Sequence, residues 1–178
     1  MQNLRRLWPA AFGVLVAALT AYDLADGTEL APVLALSGLI YLGAAALERQ
    51  SAAWPLFWGS FVVLTVVNVL DLPGATWVFL GIAALFIGYG LVRGITRPAG
   101  GFPLQAVAMV VVGALAALTV LLGGTVGAIL VALGLYAHAG WDVYHHRRNR
   151  VVARSMAEFC AVLDTLVATA MLIVAFTS

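Results

Sequence analysis

Seven apolar runs, each close to the thickness of a bilayer, fill most of this 178-residue chain and leave little room for any fold but a membrane bundle. A helix needs about 20 apolar residues to cross roughly 30 Å of hydrocarbon. Runs of that order stand at 7–22, 30–47, 54–72, 75–93, 103–122, 125–146 and 156–176. A backbone inside a bilayer finds no water, and the runs show no period-two alternation, so each is expected to be a helix and not a barrel strand. Turn residues mark the gaps: Asp26-Gly27, Pro73-Gly74, Arg97-Pro98 with Gly100-Gly101, and Gly123-Gly124. The expected architecture is all-α, a single integral membrane domain over 1–178 with seven transmembrane helices.

Charge sharpens this. Charged residues make up 10% of the chain, against about 25% in soluble domains. There is no lysine, and the nine arginines cluster between the apolar runs. A net charge of +1 offers no basic surface for nucleic acid, so the expected partners are membrane lipids, with a homo-oligomer or a membrane partner subunit left open. The single cysteine, Cys160, rules out an intrachain disulfide and any CxxC motif. With the amino terminus in the cytoplasm, all nine arginines fall on the cytoplasmic side, while Asp23, Asp26, Glu29 and Asp71 fall outside. The positive-inside rule then places the amino terminus in and the carboxyl terminus out, in a bacterial inner membrane or one like it.

An internal repeat runs through the spans. WPAAFG at 8–13 is echoed by WPLFWG at 54–59, and DLADG at 23–27 by DLPG at 71–74. The echo argues that the first segment is a permanent span and not a cleaved leader. Trp8-Pro9, Trp54-Pro55 and Phe102-Pro103 each open an outward-running helix, with proline in the first turn where its missing N–H costs least. Each returning helix carries a tyrosine: Tyr41, Tyr89 and Tyr136. The reading is three tandem helical hairpins plus a final helix.

The third copy departs from the others, and there the chain places all three of its histidines, in HAGWDVYHH at 138–146. Helical spacing puts His138, Asp142 and His145 on one face, with Trp141 at its edge and His146 one step round. His138 and Asp164 each lie about eight residues from the cytoplasmic end of their helix, so at 1.5 Å per residue both sit near 12 Å deep and can face each other. Cys160 is one turn before Asp164 on the same face. Ionisable groups at such depth are costly and point inward to partners. Three readings stand. His138, Asp142, His145 and Asp164 suit a divalent transition metal such as zinc or iron, for chemistry on a lipid-like substrate or for structure. His138 and Asp164 suit a proton relay in a small transporter. Or they form a satisfied buried pair in an accessory or lipid-binding subunit, while Arg147, Arg148, Arg150 and Arg154 meet anionic lipid. His145 and His146 are placed at the membrane surface, where these arginines repel a metal ion.

Other polar residues have plainer readings. Asp23 and Asp71 cap or hydrate outer helix ends; Asn68, one turn further in, shares a polar pocket with Asp71 or, more plainly, makes a helix-to-helix hydrogen bond. Glu48 and Arg49 read as an interfacial ion pair, and Glu158 as a first-turn carboxylate on its helix dipole. Trp8, Trp54 and Trp77 read as interfacial anchors. Gly81, Gly88, Gly90, Gly127 and Gly134 allow close helix approach.

Seven helices with VLD in the last resemble microbial rhodopsins, but the position of the retinal lysine is Ala168 and the chain has no lysine, so no retinal is expected. The helix count also resembles that of sugar-transporting heptahelical proteins, although the period here is a hairpin and not three helices. DVYHH partly resembles the HxxHH motif of membrane di-iron hydroxylases and desaturases, whose further histidines are missing. HAGWDVYHH itself is similar to a signature, H-x-x-x-D-x-x-H-H with tryptophan before the aspartate, of small uncharacterised bacterial multi-pass membrane proteins. That resemblance implies that these side chains act together and implies no substrate. No phosphate-binding glycine loop, CxxCH or serine triad pattern is present.

Overall fold

A computed structural model describes residues 4–22, 24, 27–72, 74–96, 98 and 101–177, without the side chains of 4–6. It is all-α, with α1 Leu4–Tyr22, α2 Ala31–Ala46, α3 Ala53–Val69, α4 Ala75–Val92, α5 Phe102–Leu122, α6 Gly124–Arg148 and α7 Arg154–Thr177. Six stretches are long and apolar enough to cross a membrane: Thr28–Ala46, Gln50–Val69, Ala75–Val92, Phe102–Leu122, Gly124–Arg148 and Arg154–Thr177. The chain is therefore a multi-pass helical membrane protein. The first apolar stretch, Leu7–Tyr22, is shorter.

Sequence chemistry explains the placement of the helices. APVLALSGLIYLGAAA in α2 is apolar on every side, and a helix without a polar face belongs in the middle. It packs against α3, α4, α5 and α6. α6 packs closely along α7, and α1 lies against α7. Small residues line the α6–α7 region: Ala128, Ala132, Ala139, Ala157 and Ala168 are all buried, which lets the two backbones approach. Close approach is tightest at Gly90 of α4, where an added Cβ would collide with the ring of Phe102. Gly127 and Gly134 are also crowded, whereas Gly81 and Gly88 face open space and serve no helix contact.

Three helices end alike. Glu48 takes a left-handed conformation, with its N–H on the Ala45 carbonyl and the Arg49 N–H on that of Ala44. Asp71 and Gly94 close α3 and α4 by the same two-bond pattern.

Several expectations are corrected. Pro9 lies inside α1, whose helix begins at Leu4, so Trp8-Pro9 does not open it and the bond to the Arg5 carbonyl is lost. Among the described residues no ion pair joins Glu48 to Arg49, where the left-handed backbone at Glu48 turns the chain; His138 pairs with Asp142 and Asp164. Glu158 lies beyond the first turn of α7, where the dipole is weak, because the helix starts at Arg154. Asn68 and Asp71 are both exposed, so the polar pocket expected of them is not a buried one. Trp54 is no simple interfacial anchor: its Nε1 donates to Ser155 Oγ at 3.0 Å, and its ring packs tilted against Trp8 and Phe159 and edge-on to Phe57. Asp23, Asp26, Pro73, Arg97 and Gly100 lie outside the described residues.

Candidate metal centre

The turn from α6 to α7 sets the register of the site. Asn149 and Val151 both have positive φ, at 48° and 69°. For a β-branched residue that conformation is strained, at a cost of about 1–3 kcal/mol. Gln50 Nε2 ties the turn down by donating to the Asn149 carbonyl at 2.9 Å. Held this way, α6 and α7 run back to back, and polar groups at one depth meet.

His138 Nδ1 lies 2.9 Å from Asp164 Oδ2 and 3.2 Å from Asp142 Oδ2. The side chains of all three are at most 3% exposed. One ligand atom from each falls within 4.8 Å of the others, so the group has the disposition to hold a metal ion. Tyr41 of α2 donates its phenol O–H to Asp142 Oδ1 at 2.5 Å. Its ring stands edge-on between the imidazoles of His138 and His145, at 5.3 and 5.0 Å. Among the described residues nothing hydrogen-bonds Asp142 Oδ2 or His138 Nε2, although both atoms are buried.

Charge makes this arrangement demanding. Two ionised carboxylates beside one imidazole leave a net negative charge in hydrocarbon even when the imidazole is protonated. A divalent cation with a neutral imidazole brings the sum to zero, and so does one extra proton. The donors also suit the ion: about 3.3 Å separates ligands held 2.0–2.1 Å from a tetrahedral centre, close to the two separations observed.

His145 does not join the group. It is 1% exposed, because it lies two turns along the same inward face as His138, and it sits in the last turn of α6. Its Nδ1 lies 2.9 Å from the Trp141 carbonyl, which can only accept, so that nitrogen carries the proton. Its Nε2 then accepts from Gln105 Nε2 at 3.1 Å, while Gln105 Oε1 accepts from Trp141 Nε1 at 3.3 Å. This closed ring of bonds occupies both imidazole nitrogens. Cys160 is buried beside the group but donates to Met156 Sδ. His146 is half-buried, and Arg147, Arg148, Arg150 and Arg154 are exposed.

Tyr41 and Gln105 are the side chains that sequence reasoning missed. Gln105 carried a signal, as the one amide in the apolar run of α5. Tyr41 had one too, as the repeat tyrosine on a helix with no outward face. The chain matches no protein-family model, no curated protein and no solved structure.

Proposed function

We propose that this chain is a seven-span protein of a bacterial inner membrane, or one like it, that holds a divalent transition-metal ion, zinc or iron, at His138, Asp142 and Asp164 for chemistry on a lipid-like substrate. The observation that carries the reading is the meeting of three buried donors from two helices, with one carboxylate oxygen that has no hydrogen bond and only a 3.2 Å contact with His138 Nδ1. Three protein ligands leave a coordination position open, as catalytic sites do, whereas structural zinc sites usually close with four. An ion there would polarise a bound oxygen or activate a water. Tyr41 holds Asp142 in place, and the His145–Gln105–Trp141 ring fixes the neighbouring turn.

Elemental analysis of protein purified without chelator tests this. Wild type and His145→Gln are expected to carry about one ion per chain, and Asp142→Asn to carry none. Metal-free wild-type protein that remains folded contradicts the reading. Position of His138 Nδ1 between two carboxylates also favours a second reading, proton-coupled transport. Metal-free protein that takes up solute on a pH gradient, with uptake lost in Asp164→Asn, would establish that instead.

Seven spans and an amino terminus in the cytoplasm complete the proposal. α1 lies along a spanning helix, α7, and its 19 residues reach about 28 Å. Arg49 and Arg150 line one pocket, and Arg49 and Tyr89 another, consistent with a single arginine-bearing face. On that face Arg147, Arg148, Arg150 and Arg154 would contact anionic lipid. In a Cys160→Ala background, cysteines placed at 49 and 150 are expected to react with a membrane-impermeant maleimide only when the cytoplasmic side is open. Reaction from outside would reverse the orientation.

A further inference from the structure

A groove of about 360 Å³ runs between α2, α5 and α6, and its wall includes His138. Its mouth is edged by Val107 and Val111, 62% and 63% exposed, on a helix long and apolar enough to span. What surrounds that mouth in a bilayer is hydrocarbon, so the material at hand to fill the groove is a lipid chain.

A second groove of about 260 Å³, between α4 and α5, opens in the same way and serves as an internal comparison. Its wall, which includes Leu80, Ala84, Val110 and Ala117, has no polar side chain. The first groove has four: Tyr41, Gln105, His138 and Trp141. Three of these are committed within the protein, Tyr41 to Asp142 and the other two to each other and His145. His138 is not. Its Nδ1 faces the two carboxylates, neither of which lines the groove, and its Nε2 is buried beneath the wall without a partner.

We infer that this groove binds the alkyl chain of a membrane lipid, entering sideways from the bilayer and ending against the ring of His138. Contact with the centre rests on the metal reading: when Nδ1 ligates an ion, Nε2 keeps the proton, so a small turn of the ring is enough to offer it to an acyl or carboxyl oxygen. Lateral entry rests only on the shape and setting of the groove. Substrate then reaches the centre from the membrane and not from the cytoplasm.

Photo-crosslinking with a long-chain fatty acid bearing a diazirine tests the proposal in full-length protein in nanodiscs. Labelling is expected to concentrate on the α5 and α6 residues of this groove. It is expected to be lost in Ala108→Phe, which fills the groove, and in Ala137→Phe at its exposed edge, and retained in Ala114→Phe in the comparison groove. Should Ala108→Phe fail to fold, Ala137→Phe still decides. Labelling spread evenly over both grooves, or unchanged by either blocking substitution, overturns the inference. Metal content measured on the same samples separates the two ideas: groove-specific labelling of metal-free wild type ends the metal reading alone, and even labelling of metal-loaded protein ends this one alone.

Discussion

Asp164→Ala is expected to empty the metal centre and to lower stability by about 3–5 kcal/mol, the usual cost of removing one member of a buried ion pair. The carboxylate sits 2.9 Å from His138 Nδ1 and is 2% exposed, so bulk solvent does not screen the pair. Its loss leaves the imidazole with Asp142 alone, at 3.2 Å. Metal content and thermal unfolding in detergent report the two effects. Asp164→Asn separates them, because the amide keeps the shape while removing the charge. His146→Ala should change neither, since that ring is outside the group. If Asp164→Ala retained full metal occupancy, the ligand set would be wrong.

Tyr41→Phe is the second large effect. The ring stays, with its edge contacts to both histidines, and the donor to Asp142 Oδ1 disappears. A hydrogen bond to a charged group contributes about 1.5–3 kcal/mol, and loss of a bond that orients a ligand typically weakens metal binding about 10–100-fold. Competition with a chelator of known affinity reads the second number, and thermal unfolding the first. An unchanged affinity would reduce Tyr41 to a packing residue.

Geometry that is fixed in advance was legible in the sequence. The length of a membrane span and the rise of a helix are constants, so the helix positions follow within a few residues, and counting inward along α6 and α7 brings His138 to Asp164. What a third helix contributes was not legible. The spacing of α6 says nothing about which neighbour lies against it, and α2, apolar all round, has no marked face from which to infer that Tyr41 turns to Asp142. Gln105 is one turn into α5, and only the packing of α5 on α6 carries it to His145.

His145 shows the opposite failure. Its arginine neighbours suggest a solvated side chain, but it turns to the inward face, where Gln105 and the Trp141 carbonyl satisfy both its nitrogens. Pro9 misled for a related reason. A proline suits a first turn, yet the helix tolerates it one turn further in, where neighbouring packing can offset a lost backbone bond.

The central claim is that His138, Asp142 and Asp164 ligate one metal ion inside the bundle. X-ray absorption at the zinc or iron edge, on protein purified without chelator, tests it most directly. The expected spectrum has a first shell of nitrogen and oxygen at about 2.0–2.2 Å with a single imidazole. An edge no higher than background in folded protein, or a sulfur shell at about 2.3 Å that would bring in Cys160, contradicts it.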